Sequence, residues 1–393
     1  MRRVYLDNNA TTPVAPEVFE AMTPWLTEGF GNASSIHWYG QQAAAAVEAA
    51  REAVAALLHA QAAEVVFTSG GTEADNTALF GVIEAAETAS SAKHLVTTAI
   101  EHHAVLHSAK ALENRGVRVT FVPVGPSGVV DPDDIRKAIT ADTVLISVMH
   151  ANNELGTLQP IEAIGRIAQE HGIPFHTDAV QSAGKIALDV EKLGVSLLSL
   201  SAHKLNGPKG VGALYVRKGA ELRPLLYGGG HERDRRAGTE NVAGIVGFGA
   251  AAGLAMRTLH EEAVRLAKLR DRLEAGILGH VPSVRINGDL KRRVPNTSSV
   301  TFDFVEGEGL VIAADLQGLA CSTGAACSSG SVESSHVLTA IGQTQDQARS
   351  TVRFSLGRFN TPEDIDYALE VIPQVVDHLR QLSPMVVENP VRM

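Results

Sequence analysis

The sequence predicts an α/β protein with a large domain, built on a mostly parallel seven-stranded sheet, and a smaller α+β domain at the C-terminal end. Two observations support this prediction. Between residues 65 and 216, short runs rich in β-branched residues alternate with segments of helical periodicity, which is typical of a parallel sheet covered by helices on both faces. After a long helical region that begins at Val242, the pattern changes to a few strands followed by one terminal helix.

The strands of the large domain are predicted from apolar runs that end at glycine, proline or polar residues. The seven runs are Val65–Ser69, His94–Ile100, Val117–Val122, Thr143–His150, Pro174–Thr177, Leu197–Ser201 and Val211–Val216. Four helices are predicted between these strands. They run from Thr72 to about Thr88, from the end of the strand His94–Ile100 to about Arg115, over Pro132–Ile139 and over Ile161–His171. Ligands of such sheets lie at the carboxyl ends of the strands, so polar residues at those ends are the candidates for a site.

The C-terminal part of the chain is predicted to form the smaller domain. Its strands are expected at Val284–Ile286, Ser299–Phe304 and Val352–Ser355. Its last helix is expected at Pro362–Leu382, with Thr361 as N-cap. The helical region Val242–Leu278, which we expect to be interrupted or bent near its glycines, joins the domains. We predict a segment of residues 1–14 that packs with the small domain, a large domain over 15–257 and a small domain over 258–393.

The composition argues against a nucleic-acid surface and against a disulfide framework. The formal net charge is −10, and no run of lysine and arginine forms a basic stripe. Two cysteines, Cys321 and Cys327, occur in the whole chain, so we expect a reducing compartment, the cytoplasm. The first residues lack the apolar run of a secretory signal. The apolar stretch Val242–Met256 is shorter than the about 20 residues that cross a bilayer, so no membrane association is predicted.

The first candidate catalytic residue is Lys204. It follows the predicted strand Leu197–Ser201 and precedes a Gly/Pro turn, a position from which an amine can face a cleft. A lysine that forms a Schiff base must be partly unprotonated, and desolvation lowers the lysine pKa toward that state. A single loop lysine is more often simply solvated, so the position alone leaves both interpretations open.

Two further motifs follow strands of the same sheet. Asp178 closes an apolar strand, where its carboxylate either pairs with the protonated pyridine nitrogen of a pyridoxal cofactor or caps a helix. The segment Thr68–Glu73 places Gly70 and Gly71 between a strand and a helix. Its backbone N–H groups either cradle a phosphate at the helix N-terminus or belong to a plain strand-to-helix turn.

Histidines and cysteines supply the remaining candidates. His102 follows a strand and suits acid–base chemistry near neutral pH, unless it is a hydrogen-bonded structural residue. His103 and His107 lie four residues apart, but no third ligand is evident nearby, so no metal is predicted.

The Gly/Ala/Ser-rich segment 321–331 predicts an exposed loop on which Cys327 is placed to be a reactive thiolate. A buried structural cysteine and a Cys321–Cys327 disulfide stay open at this point. The segment Gly247–Gly253 is similar to a dinucleotide fingerprint, but it lies inside a helical pattern rather than after a strand. Small residues for close helix packing are the better explanation of this segment.

Taken together, these segments resemble the cysteine desulfurases of the class V aminotransferase family. The agreement runs nearly end to end and is far more specific than any single motif. Besides the lysine and cysteine motifs, it covers Tyr5–Thr12, Gly31–Ser35, Asn152–Gly156, Arg236–Asn241 and Arg353–Gly357. The Gly/Ser-rich run around Cys327 is similar to that of the long-loop subgroup.

The resemblance implies a fold-type I homodimer that uses pyridoxal 5′-phosphate, with active sites at the subunit interface. Lys204 is then the residue that carries the cofactor, Asp178 the partner of the ring nitrogen, and His102 the residue that stacks on the ring and moves protons. The other implied cofactor contacts are Asn153 and Gln181 near the phenolic oxygen, Gly71, Thr72, Ser201 and His203 at the phosphate, and Thr239 of the partner subunit. The implied substrate contacts are Arg353, as a bidentate clamp on the carboxylate, and Asn32.

The implied reaction removes sulfur from L-cysteine, leaving alanine and a persulfide on Cys327. The sulfur then passes to an acceptor protein of iron–sulfur cluster assembly or tRNA thiolation. Two alternatives remain at this point. One is a related pyridoxal enzyme, such as a selenocysteine lyase or another class V aminotransferase, and the other is a non-catalytic scaffold that kept the fold.

Overall fold

A seven-stranded sheet forms the centre of the larger part of the molecule. The computed structural model describes residues 2–87, 92–324 and 334–382. The first strands in chain order are β1 Val4–Tyr5, β2 Val65–Thr68, β3 His94–Thr98, β4 Arg118–Val122, β5 Thr143–Ser147, β6 Phe175–Asp178, β7 Leu197–Ser201 and β8 Gly212–Val216. The order in the sheet is β2-β8-β7-β6-β5-β3-β4, with β8 antiparallel to both of its neighbours and the other pairs parallel. The predicted α/β class is confirmed.

Most strands of this sheet are buried on both faces, so they lack the alternation of buried and exposed residues that half-exposed strands show. Successive residues of β2 belong to different apolar clusters: Val65 and Phe67 to one, and Val66 to the other. The helices up to the middle of the chain are α1 Pro16–Thr27, α2 Trp38–Leu57, α3 Gly71–Ala85, α4 His103–Glu113, α5 Pro132–Ala138, α6 Ile161–His171 and α7 Val190–Leu193. The sheet is therefore a core layer between two apolar clusters.

A second, antiparallel sheet forms the centre of the C-terminal part. Its elements are α8 Val242–His280, β9 Val284–Ile286, β10 Thr297–Phe302, α9 Gly307–Leu316, β11 Leu319–Ala320, β12 Ser322–Thr323, α10 His336–Ala340, α11 Gln345–Arg349, β13 Thr351–Ser355 and α12 Pro362–Leu382. The order is β12-β13-β10-β9. The N-terminal strand β1 pairs with β11, and Val4 and Leu6 join the apolar cluster of this part. The domain boundaries drawn from the sequence stay predictions.

Helix α8 is continuous over 39 residues, so the predicted interruption near its glycines was wrong. The glycines serve close packing, as expected for Gly247–Gly253. A Cβ at Gly247 would lie 2.6 Å from the Met22 sulfur, and one at Gly249 would lie 2.6 Å from the Ala50 Cα atom. By length and composition α8 is apolar enough to cross a membrane, but 56% of its apolar window is buried inside the protein. It therefore has the character of a core helix.

The predicted strands and helices occur with shifted ends, as in β5, which was predicted to reach His150 and ends at Ser147. Helices α1 and α2 were not predicted. Helix α2 is rich in alanine, and alanine carries little apolar periodicity although it favours a helix. The N-cap prediction at Thr361 agrees with the structure, in which its Oγ1 accepts from the Asp364 N–H at 3.3 Å.

Candidate active site

A cavity of about 190 Å³ lies where several strands of the large sheet end. Its lining residues are Gly71, Thr72, Asp75, His102, Met149, Asn153, Asp178, Val180, Gln181, Ser201, His203 and Lys204. Nine of these were predicted from the sequence as cofactor or catalytic residues, whereas Asp75, Met149 and Val180 were not. Residues from five separate segments of the chain thus converge on one concave site, as expected for ligand sites of open α/β sheets.

The N-terminus of α3 forms one wall of the cavity. The helix begins at Gly71 directly after Gly70, so its first N–H groups have no intrahelical partner and attract an anion. A Cβ at Gly71 would lie 2.8 Å from a methyl group of Val180 and 3.5 Å from the Ser201 Cβ. Only glycine leaves this backbone open beside Ser201 and His203, and such a cradle fits the phosphate of a pyridoxal cofactor.

Lys204 lies in the single 3₁₀ turn Ala202–Lys204 that follows β7. Its amine donates to the backbone carbonyls of Asn9 and, at 2.8 Å, of Ala10. The N-terminal segment is held against the same turn, because Thr12 Oγ1 donates to the His203 carbonyl at 2.8 Å. The segment 5–12, whose motif carried part of the family resemblance, therefore positions the lysine.

Asp178 ends β6 with its side chain buried beside the cavity. Its Oδ1 accepts the Val180 N–H at 2.8 Å. Burial raises the pKa of Asp178 above its usual value, while the Val180 N–H and the Lys204 amine act in the opposite direction. A buried carboxylate of this kind is a suitable partner for a pyridinium nitrogen.

His102 caps α4 and reaches into the cavity. Its Nδ1 accepts the Ala104 N–H at 3.1 Å, so the neutral ring carries its proton on Nε2. Burial, with the Lys204 charge as the next cause, lowers the pKa of His102 to about 4. The ring is therefore neutral at physiological pH and can stack on an aromatic ligand.

A buried hydrogen-bond network fixes Gln181 in the cavity wall. Its Nε2 donates to the Asn9 carbonyl at 3.0 Å, and its Oε1 accepts from the Lys185 amine at 2.8 Å. Lys185 also donates to Asn9 Oδ1 at 3.1 Å. Burial and the nearby Lys204 hold the pKa of Lys185 well below its usual range. Lys185 could not be identified from the sequence, because a lysine four residues after Gln181 is ordinary in a surface turn.

Three predicted residues lie outside the lining of this cavity. Arg353, on β13, is almost fully buried and donates to Asp7 Oδ1 at 2.8 Å and to the Asn153 carbonyl at 3.0 Å. Asn32 is exposed in a turn, where its Oδ1 accepts the Ser34 N–H at 2.9 Å. Thr239 is exposed in the segment before α8. Their predicted roles stay predictions.

The two cysteines lie in different parts of the segment that begins at Cys321. Cys327 lies outside the described residues. Cys321 is buried, and burial with the neighbouring Asp7 raises the pKa of its thiol to about 12. It is therefore a protonated, unreactive thiol in this fold.

Three other histidines form a stack beside His102. The ring centroid of His103 lies 4.9 Å from that of His107 and 5.0 Å from that of His336. The described residues contain one group with metal-ligand spacing, in which atoms of Asp75, His102 and Asp178 lie within 4.8 Å of one another. That group belongs to the cavity and not to the stack.

The fold and this site together define a class of pyridoxal-phosphate enzyme. The sequence model of the class-V aminotransferases matches residues 4–368, so the chain belongs to that family. The family and cofactor expected from the sequence are thereby confirmed.

Within the family, the chain is similar to cysteine desulfurases. It is 52% identical to the cysteine desulfurase IscS of Methanosarcina thermophila, over 98% of this chain and 94% of the relative. The IscS of Dictyoglomus turgidum is 50% identical over 98% of this chain and 97% of its own. Among solved structures, a NifS-like protein superposes with a TM-score of 0.90 at 41% identity and covers 96% of this chain and 100% of its own. A complex of SspA with cysteine superposes with a TM-score of 0.81 at 38% identity, covering 91% and 100%.

Proposed function

We propose that this protein is a pyridoxal-phosphate-dependent cysteine desulfurase that takes sulfur from L-cysteine as a persulfide on Cys327. The observation that carries the proposal is the convergence of Lys204, Asp178 and His102 on the cavity beside the α3 cradle. The desulfurase activity itself agrees with the named relatives at about half identity over nearly the full chain. The persulfide on Cys327 and the identity of the sulfur acceptor are proposals that go beyond the activity of the relatives.

Different side chains of the cavity would hold different parts of the cofactor. The Lys204 amine would be the point of covalent attachment, and the Asp178 carboxylate would pair with a protonated ring nitrogen. Gly71, Thr72, Ser201 and His203 would hold the phosphate, with Thr239 of the partner subunit completing the site. When bound, pyridoxal phosphate withdraws electrons from the α-carbon of the amino acid. The Lys204 amine and the neutral His102 ring would move protons at the substrate carbons.

We propose that Arg353 binds the substrate carboxylate, with Asn32 assisting. Its guanidinium stays fixed in place by Asp7 and the Asn153 carbonyl. Its Nε is buried and has no hydrogen-bond partner among the described residues, which leaves a donor for an incoming anion. Asn153 lines the cavity, so a carboxylate bound beside Arg353 is close to the cofactor.

We propose that the Cys327 thiolate acts at this site, because described residues on either side of its segment lie close to Glu154. The described residues that flank its segment both meet Glu154, the neighbour of Asn153. Ser335 Oγ donates to Glu154 Oε2 at 2.5 Å, and a Cβ at Gly324 would lie 3.1 Å from the same oxygen. Cys327 is three residues beyond Gly324, a span of at most roughly 10 Å. The thiolate attacks the substrate sulfur, so that an S–S bond forms and the Cβ–S bond breaks. The carbon fragment keeps the electron pair, takes up a proton and leaves as alanine.

The decisive experiment replaces each cysteine separately. Cys327→Ala is expected to lose production of alanine and sulfide from L-cysteine by about 10²-fold or more, while its visible cofactor absorbance stays unchanged. Cys321→Ala is the matched control, because the Cys321 thiol is buried and protonated. Mass spectrometry of the wild type after incubation with cysteine should find one extra sulfur on Cys327. Equal turnover by Cys327→Ala and wild type contradicts the persulfide route, and parallel assays with selenocysteine and amino-acid/keto-acid pairs separate the related activities.

We propose further that the enzyme is a cytoplasmic homodimer. Large apolar side chains lie exposed between α1 and α2 and near residue 227: Ile36 is 92% exposed, Tyr227 79% and Phe30 73%. An apolar surface of this kind is typical of an interface between subunits.

The proposed sulfur acceptor is a protein of iron–sulfur cluster assembly or of tRNA thiolation.

Sedimentation tests the dimer. The wild type is expected at twice the 41.5 kDa chain mass. Ile36→Glu, together with Phe30→Glu, should shift it toward the monomer and lower its activity. Leu290→Glu, at a separate exposed leucine (57%), should leave both unchanged. A monomeric wild type with full activity would contradict the role of Thr239 of the partner subunit.

A further inference from the structure

Asp75 is a buried carboxyl of the cofactor cavity whose role neither the sequence motifs nor the proposed chemistry explains. It lies on α3 one turn beyond the Gly71 cradle and lines the cavity. Its side chain is 1% exposed. Its Oδ1 has no hydrogen-bond partner among the described residues. A carboxyl that is buried in this way without a cation is costly if it is ionised.

The nearest basic group does not compensate Asp75. Nε2 of His176 lies 3.6 Å from Asp75 Oδ1. That ring is already engaged on both sides, by Ser147 at Nδ1 and by Ser199 at Nε2, each at 2.9 Å. Burial lowers the pKa of His176 to about 3, so the ring is neutral and supplies no positive charge.

The charged groups that face Asp75 favour its neutral form. Polar atoms of Asp75, Asp178 and His102 lie within 4.8 Å of one another. Glu101, buried below the same strand ends, is a further acidic neighbour. Burial and the Asp178 carboxylate raise the pKa of Asp75 well above its usual range, although the Ser199 hydroxyl acts in the opposite direction. Two carboxylates this close in a dry site do not both ionise.

We propose that Asp75 and Asp178 form a carboxyl pair that holds one proton and one negative charge, with the proton on Asp75 and the charge on Asp178. Asp178 is the favoured site of the charge because it accepts the Val180 N–H at 2.8 Å and faces Lys204. Asp75 is thereby the neutral member of the pair, so that the pair offers a single negative charge to the ring nitrogen of a cofactor. The part of this inference that concerns the cofactor rests on the proposed function, whereas the shared proton is a property of the chain without cofactor.

The direct test is carbon-13 NMR of the full chain, stripped of cofactor and treated with EDTA, with only the aspartate carboxyls labelled. This labelling leaves Glu101 and Glu154 silent. At pH 7 one aspartate carboxyl should remain at the protonated chemical shift, and that resonance should disappear in Asp75→Asn. If every aspartate is ionised at pH 7, or if the protonated resonance persists in Asp75→Asn, the proposal is overturned. Asp75→Ser serves for the assignment if Asp75→Asn does not fold.

Unfolding measurements provide an independent readout. An acid whose pKa is raised by folding takes up a proton on folding, so wild-type stability should fall as the pH rises above the unfolded aspartate value of about 3.9. Asp75→Asn lacks this dependence. Its free energy of unfolding, relative to that of the wild type, should therefore rise between pH 5 and pH 8. Glu101, His102, His176, Lys204 and Asp178 are present in both proteins, so their own titrations largely cancel. Parallel curves for the two proteins would overturn the proposal.

The role toward the cofactor is tested by binding. Asp75→Asn replaces a neutral carboxyl by a neutral carboxamide of the same shape, so its Kd for pyridoxal phosphate should equal that of the wild type. Asp178→Asn removes the charge itself and should weaken binding by about tenfold or more. A tenfold change of Kd in Asp75→Asn would show that the wild-type residue is charged. Because the NMR and unfolding experiments involve neither substrate nor cofactor, failure of the desulfurase proposal would leave their outcome unaffected.

Discussion

The two sides of the active site are built in different ways. On the cofactor side, Lys204 and Asp178 stand at the ends of neighbouring parallel strands, β7 and β6, and each belongs to a short motif. On the proposed substrate side, Arg353 is held by Asp7, which lies 346 residues away in the chain. On the cofactor side burial keeps the His102 ring neutral, whereas the substrate side keeps an ion pair between the buried Arg353 and the partly buried Asp7. The two functions, cofactor binding and substrate binding, should therefore be separable by mutation.

The largest expected effect is that of Lys204→Ala on the cofactor side. Loss of the amine removes covalent attachment and one proton carrier, so activity should fall by about 10²- to 10⁴-fold or more. Borohydride reduction followed by mass spectrometry should find cofactor mass on Lys204 in the wild type and none on the variant. Lys209→Ala, five residues further on and exposed, is the matched control. Cofactor mass on Lys185 in the variant would contradict the assignment of Lys204 as the sole point of attachment.

The next effect sharpens the contrast with the substrate side. Arg353→Lys keeps the charge but loses the planar fork that contacts both Asp7 and Asn153. Hydrogen bonds to charged groups contribute about 1.5–3 kcal/mol, so KM for cysteine should rise about 10- to 100-fold. The Kd of pyridoxal phosphate should stay unchanged, because Arg353 does not line the cofactor cavity. Arg285→Lys, at a half-exposed pair with Asp303, is the control. A changed cofactor affinity with constant KM would reverse the assignment of the two sides.

The same contrast explains how much the sequence could predict. The cofactor side was predictable because its residues follow strands whose apolar runs are visible, and parallel strands end at one edge. The resemblance to a family then supplied the roles. Four of the residues that follow these strands do line the cavity: Gly71, Asp178, Ser201 and Lys204.

Residues that act through long-range contacts were not predictable in this way. The contact between Lys185 and Asn9 joins segments 176 residues apart, and no local pattern encodes it. Asp75 looked like an ordinary polar position of an N-terminal helical turn, and only the fold brings it beside Asp178. The glycines of α8 indicated close helix packing correctly, but they do not interrupt the helix, because their contacts to α1 and α2 are tertiary.

The smallest expected effect comes from two adjacent glycines on the cofactor side. A methyl group at Gly71 would lie 2.8 Å from the β-branched Val180, whereas one at Gly70 meets no atom within 4 Å. The φ of Gly70 is 160°, close to extended backbone that other residues adopt. Overpacking costs about 1–3 kcal/mol, so Gly71→Ala should weaken pyridoxal phosphate binding by about tenfold, while Gly70→Ala should bind normally. Fluorescence titration of the cofactor-free enzymes measures both. Since pyridoxal lacks the phosphate, its affinity should be nearly equal in Gly71→Ala and wild type. A loss of affinity for pyridoxal as large as that for pyridoxal phosphate would place the phosphate away from the α3 N-terminus.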